Sequence, residues 1–192
     1  MGGNPSKQEQ TSVADDERVK AARIAMEKVN KYISEKALKG GLAFINLSMQ
    51  GIVVLPDKLL EHKETLSQLD LSLNRVENLD VLQSLNNLKV LNLAQNNLAS
   101  VPDQIFSHKD IQSLTLSGNR ITEVSDSFKG LEGLLNLDMR DNQIGVFNPI
   151  LKLCGSLNVL NLSFNAVHKN TKTQKTLRTA SYLTERITFH FL

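Results

Sequence analysis

The chain has 192 residues, 41% of them apolar, with 5% aromatic, no Trp, one cysteine (Cys154) and a formal net charge of +2. That length supports one domain with a continuous core, and so small a net charge argues neither for nor against nucleic acid. A single cysteine excludes a disulfide framework, and no uninterrupted apolar run approaches the ~20 residues of a membrane span.

Residues 1–13 are polar, with Gly2, Gly3, Pro5 and several Ser, Thr and Gln, and are expected to be disordered. Their start, Met1-Gly2-Gly3-Asn4-Pro5-Ser6, fits the N-myristoylation pattern, so Gly2 is the candidate lipidation residue. The pattern is short, and a chance match stays open beside acylation. One acyl chain binds membrane only marginally, so stable anchoring needs a second signal, for which the basic tail is a candidate. No apolar leader follows the start, and the expected location is the cytoplasm, with membrane association if Gly2 is acylated.

A capping helix is expected over residues 14–40. Val19, Ala22, Met26, Val29 and Ile33 alternate steps of three and four and trace one apolar stripe. Asp15, Asp16 and Glu17 suit the helix N-terminus, and Gly40-Gly41 suits its stop. The helix directly precedes a repeated region whose first layer needs covering, so a cap is the reading taken. A partner-binding or membrane-lying helix is the alternative.

Residues 41–168 repeat one pattern six times, Leu-x-x-Leu-x-Leu-x-x-Asn-x-Leu. Leu66, Leu69, Leu71, Asn74 and Val76 set the frame; Leu88, Leu91, Leu93, Asn96 and Leu98 follow 22 residues later. Further copies are anchored by Asn119, Asn142 and Asn165, and a looser first copy carries Gln50 at that place. Leu-x-Leu marks a short strand with alternate side chains inward. Asn74, Asn96, Asn119, Asn142 and Asn165 are expected to stack as a structural ladder, each amide pairing backbone groups that the turn would orphan. Pro56 and Pro102 suggest extended or turn-like return legs, and Val81-Leu82 with Leu85 a short helical turn. Phe106, Phe128 and Phe147 are expected to fill the convex side.

Residues 169–192 break the period. They suggest a short helix and then a strand, Ile187, Phe189 and Phe191 alternating with Thr188 and His190, together a C-terminal cap. Residues 41–168 carry nine Lys/Arg against thirteen Asp/Glu, and 169–192 five against one, so a mildly acidic body ends in a basic tail.

No catalytic constellation or cofactor motif emerges. The four histidines, at 62, 108, 168 and 190, are scattered and lack metal spacing, and Cys154 reads as core filler. The outward strand positions are the better candidates: Asp70, Asn92, Thr115 and Asp138 in one row, then Arg140 and Asp141, the charged cluster with Asp138, and Phe164 at the far end.

The chain resembles small intracellular leucine-rich-repeat proteins. Leu55-Pro56 and Val101-Pro102 resemble the typical intracellular class, the 22-residue copy from Leu66 the class found in phosphatase-regulating members, and the Met-Gly start certain short myristoylated members. The C-terminal region departs from the best-known intracellular cap, with Asn165-Ala166 in place of Asn-Pro. The resemblance implies an α/β repeat fold, a leucine-rich-repeat solenoid with a curved parallel sheet, an N-terminal capping helix and a C-terminal cap. It also implies a non-enzymatic adaptor or regulatory subunit, expected to be monomeric, that holds a protein partner on its concave face. The alternatives are a phosphatase- or cytoskeleton-regulating subunit and, from another class, a nucleic-acid-associated protein using the basic tail, against which the acidic body argues.

Overall fold

The computed structural model describes residues 7–37, 42–146, 148, 150, 151, 154–166 and 188–190, with the backbone alone at 7–18 and 188–190. Helix α1 (Lys7–Ala37) leads into seven short strands: β1 (Phe44–Asn46), β2 (Gln68–Asp70), β3 (Val90–Asn92), β4 (Ser113–Thr115), β5 (Asn136–Asp138), β6 (Val159–Asn161) and β7 (Thr188–His190). They form one parallel sheet in chain order. Each strand pairs with the next in fixed register, Leu69 beside Leu91, Leu91 beside Leu114 and Leu114 beside Leu137. The side chains of Ile45, Leu69, Leu91, Leu114, Leu137 and Leu160 therefore stack in one column, and each is almost fully buried. Leu47, Leu71, Leu93, Leu116, Met139 and Leu162 form a second buried column beside it.

The return legs are more uniform than the sequence suggests. Among the described residues, short 3-10 turns cover Asp57–His62, Asp80–Ser84, Asp103–Ser107 and Asp126–Gly130. Pro56 and Pro102 are extended, as expected of them, but each directly precedes a 3-10 turn instead of extending the leg. An Asp opens each of these turns at a step of 23, where its charge complements the N–H dipoles. Parallel strands sit ~4.8 Å apart and helical turns need more width, so the sheet lines the concave side. Phe128 is fully buried on the other side and meets Phe106 edge-on at 5.3 Å; Phe147 lies outside the described residues.

The Asn ladder closes each turn. Asn119 Nδ2 donates to the carbonyls of Leu93 (3.0 Å) and Leu116 (2.9 Å), while its Oδ1 accepts from the N–H groups of Asn96 (3.0 Å) and Leu98 (2.9 Å). Asn74, Asn96, Asn142 and Asn165 repeat this bridge between neighbouring copies, all buried. In the first copy Gln50 is exposed and donates to the Ser48 carbonyl instead.

Helix α1 differs from expectation at its start. It begins at Lys7, not Ala14, so residues 7–13 are helical where disorder was expected, and it ends at Ala37. Apolar periodicity first appears at Val19 and is blind to a helical turn built from Lys, Gln and Glu, all good helix formers. The stripe also divides. Val29 (3% exposed) and Ile33 (0%) join the core with Leu42, Ile52, Leu55 and Leu59, whereas Val19 is 67% exposed and Ala22 is exposed too. Among the described side chains of the helix, those that cover the first repeat lie in its C-terminal half. At the other end of the sheet β7 pairs with β6, Phe189 beside Leu160. The helix expected ahead of it, the basic tail and Gly2 lie outside the described residues.

His108 is a core residue that sequence reading left among the scattered histidines. It stands 23 residues after Leu85 and 23 before Leu131, in a column of buried side chains that ends at Cys154. Its Nε2 has no hydrogen-bond partner, and burial pushes the imidazole pKa down, partly offset by a hydrogen bond to the Leu82 backbone. The folded protein thus holds His108 neutral, while an unfolded histidine protonates near ~6.5. The stability linked to this residue is present above that pH and is lost as pH falls through the lowered folded value. His108→Leu should flatten the acid limb of a melting-temperature profile between about pH 7.5 and 5.5. An unchanged limb would rule out this histidine as its source.

Gly133 lies where two return legs approach closely. A Cβ there would lie 2.9 Å from the Lys109 carbonyl oxygen and 3.3 Å from Asp110 Cα, both backbone atoms that cannot swing aside. The Gly133 N–H also donates to that carbonyl. Gly133→Ala should therefore cost about 1–3 kcal/mol in urea unfolding, whereas Gly155→Ala, with open space around it, should cost little.

Candidate functional site

The strand face presents three rows of outward side chains. Strand register places Asp70, Asn92, Thr115, Asp138 and Asn161 side by side in the middle row. Most of these groups already hold the fold. Asp70 Oδ1 accepts from the Ser72 N–H (2.8 Å), Asn92 Oδ1 from Ala94 (3.0 Å), Asp138 Oδ1 from Arg140 (3.1 Å) and Asn161 Oδ1 from Ser163 (3.0 Å). These four strands thus end in a side-chain turn, for which Asn and Asp are suited. The sequence cannot distinguish a free surface carboxylate from one that closes a turn two residues on.

The row encloses a depression of about 150 Å³ across β4, β5 and β6, rimmed by Ser113, Thr115, Asn136, Asp138, Val159 and Asn161. Small side chains on β4 make the hollow. It brings together Thr115 and Asp138 of the expected site and adds Ser113 and Asn136, two positions earlier on the same strands. Arg140 stands beside it, Nε 3.3 Å from Asp138 Oδ2. That exposed pair contributes little to stability, yet it turns the charged cluster largely inward on itself. Asp70 and Asn92 lie on strands outside the depression. The lining offers hydroxyl, amide and carboxylate groups that can donate to and accept from a polypeptide. His62, His108 and Cys154 lie on the return legs; Cys154 Sγ donates to the Phe128 carbonyl at 3.3 Å, and burial pushes its thiol pKa up.

A second feature runs along the rim where strands turn into return legs. Met49, Leu73, Gln95, Gly118, Asp141 and Phe164 occupy the same place in successive repeats, and all six have φ between 53° and 67°. This left-handed backbone suits glycine, as at Gly118, and costs other residues ~1–2 kcal/mol. Met49 (73% exposed), Leu73 (46%) and Phe164 (68%) nevertheless carry large apolar groups into solvent there. Neither local conformation nor the core accounts for them. Asp141, also at this position, sits next to Phe164 through its N–H bond to the Ser163 carbonyl.

Comparison with known proteins agrees with this architecture. The leucine-rich-repeat family profile matches residues 86–144, under a third of the chain. A leucine-rich-repeat protein of Leptospira interrogans superposes with a TM-score of 0.58 at 21% identity, over 73% of this chain and 40% of that one. The TLR13–ssRNA13 complex gives 0.61 at 27% identity, over 71% and 20%, and the APL1 leucine-rich-repeat domain 0.56 at 28%, over 64% and 33%. The chain thus spans well under half the length of each of these structures. No curated protein matches in sequence. The fold is that of a leucine-rich-repeat solenoid with an N-terminal helix, a fold that typically serves as a non-enzymatic scaffold for protein–protein interaction.

Proposed function

We propose that this leucine-rich-repeat solenoid is an adaptor or regulatory subunit that holds a protein partner across its concave strand face. The observation that carries the reading is the set of exposed apolar residues, Met49, Leu73 and Phe164, kept at rim positions where the backbone itself favours glycine. Strain retained where it serves neither core nor turn points to binding. The partner would lay a polar segment over the depression around Thr115 and Asp138 and rest apolar groups on the rim. A cytoplasmic setting, with or without acylation at Gly2, belongs to the same proposal.

Proximity labelling with the full chain fused to a biotin ligase, in its native cell, supplies the partner and the test together. Thr115→Arg fills the depression, Phe164→Ala removes an anchor, and Asp138→Asn removes the charge while keeping an oxygen for the Arg140 N–H. A buried anchor should lose about 2 kcal/mol of affinity on truncation, against ~0.5 kcal/mol for an uninvolved surface site. Lys129→Ala, on a return leg, should leave the partner set unchanged. If Lys129→Ala depletes the partners while the strand-face variants retain them, the proposed face is wrong.

A further inference from the structure

Exposed apolar side chains gather at the N-terminal end of the molecule, and α1 carries its own share of them. Its stripe, Val19, Ala22, Met26, Val29 and Ile33, keeps the alternating steps of three and four by which helices pair. The solenoid uses Val29 and Ile33; Met26 is half-buried, and Val19 and Ala22 are left in solvent. Ala22 is also where the groove between α1 and the turn Gln50–Val54 begins. The stretch Lys7–Ala21 lies ahead of that groove, and its 15 residues span about 22 Å at ~1.5 Å each. A helix of that length is marginal in water without a packed face.

Charge is segregated along the same stretch. Glu9, Asp15, Asp16 and Glu17 stand against Lys7 alone, a net −3 over residues 7–17. Arg18, Lys20, Arg23, Lys28 and Lys31 then stand against Glu27 alone, a net +4 over residues 18–31. Among the described side chains of the helix, Arg23 meets Glu27 at 3.3 Å and Lys31 pairs with Glu35 at 3.9 Å. Two such helices laid antiparallel would set the acidic block of each against the basic block of the other. A parallel pair would set like against like.

We infer that α1 is a homodimerisation element: two copies of the chain pair through the N-terminal halves of their α1 helices, antiparallel, with Val19 and Ala22 in the shared seam. The arrangement is two-fold and closed, since the same patch serves both partners. The seam continues the stripe already packed on the first repeat, and the strand face of each copy is no part of it. Such a dimer departs from the expectation of a monomer.

Sedimentation of the full chain from about 1 to 100 µM tests this, at low and at high salt. A concentration-dependent dimer is expected, weakened by salt. Val19→Asp should weaken dimerisation at least about ten-fold while leaving the melting temperature of the repeats unchanged. The triple variant Asp15→Lys, Asp16→Lys, Glu17→Lys should be monomeric, as should Lys20→Glu, Arg23→Glu, Lys28→Glu, and an equimolar mixture of the two should form a heterodimer. A wild-type monomer across that range overturns the inference. So does a dimer indifferent to Val19→Asp, a failure of the mixture to associate, or a monomer whose α1 binds vesicles of anionic lipid instead.

Discussion

Asn119→Leu should lower the melting temperature by about 10 °C. Asn119 lies between two repeats, and its amide pairs two N–H groups and two carbonyls within 3.0 Å. Leucine is of similar size but offers no hydrogen bond. The N–H groups of Asn96 and Leu98 and the carbonyls of Leu93 and Leu116 lose that partner in a site closed to water. Each buried group left unpaired costs ~1–3 kcal/mol, and part of the loss relaxes, so about 4 kcal/mol is expected in total. At ~2–4 °C per kcal/mol for a chain of this size, that gives the stated shift. Differential scanning calorimetry of the full chain measures it. A drop smaller than about 3 °C would mean the ladder's bonds are replaceable and the apolar columns alone hold neighbouring repeats in register.

The ladder was legible because its residues repeat at a fixed step and because a polar residue inside an apolar frame must be paired. The buried columns were legible for the same reason. The return legs were legible only in part: Val81-Leu82 with Leu85 marks the turn Asp80–Ser84, whereas Pro56 and Pro102 differ from leg to leg and hide the recurrence of Asp57, Asp80, Asp103 and Asp126 at 23 residues. His108 was missed similarly: setting it beside Leu85 and Leu131 would have placed it in the core. The strand face was legible in outline only. Period-two alternation says that Asp70 and Asp138 point outward, but not that one oxygen of each closes a turn. The left-handed rim had one sequence signal, Gly118, diluted by five other residue types at the same position. Helix α1 shows the remaining limit. Periodicity identifies an apolar stripe without saying how much of it the rest of the chain covers.

The two ends of that stripe should respond oppositely to one substitution. Ile33 is fully enclosed with Leu42, Ile52, Leu55 and Leu59, where an ionised carboxylate would have no partner and no water. Ile33→Asp combines a cavity with a buried charge, and a loss of about 4 kcal/mol or more is expected, enough to detach α1 and bare the first layer of the solenoid. Aggregation on mild heating and rapid proteolysis within residues 7–37 should follow. The same chemistry at Val19 meets solvent on most of its surface, so Val19→Asp should leave thermal unfolding where it was and act on association alone. Limited trypsin digestion, with scattering recorded during a thermal ramp, separates the two. If Ile33→Asp unfolds with the wild type, the C-terminal half of α1 is not a cap, and the first repeat must be stable with its apolar edge open to water.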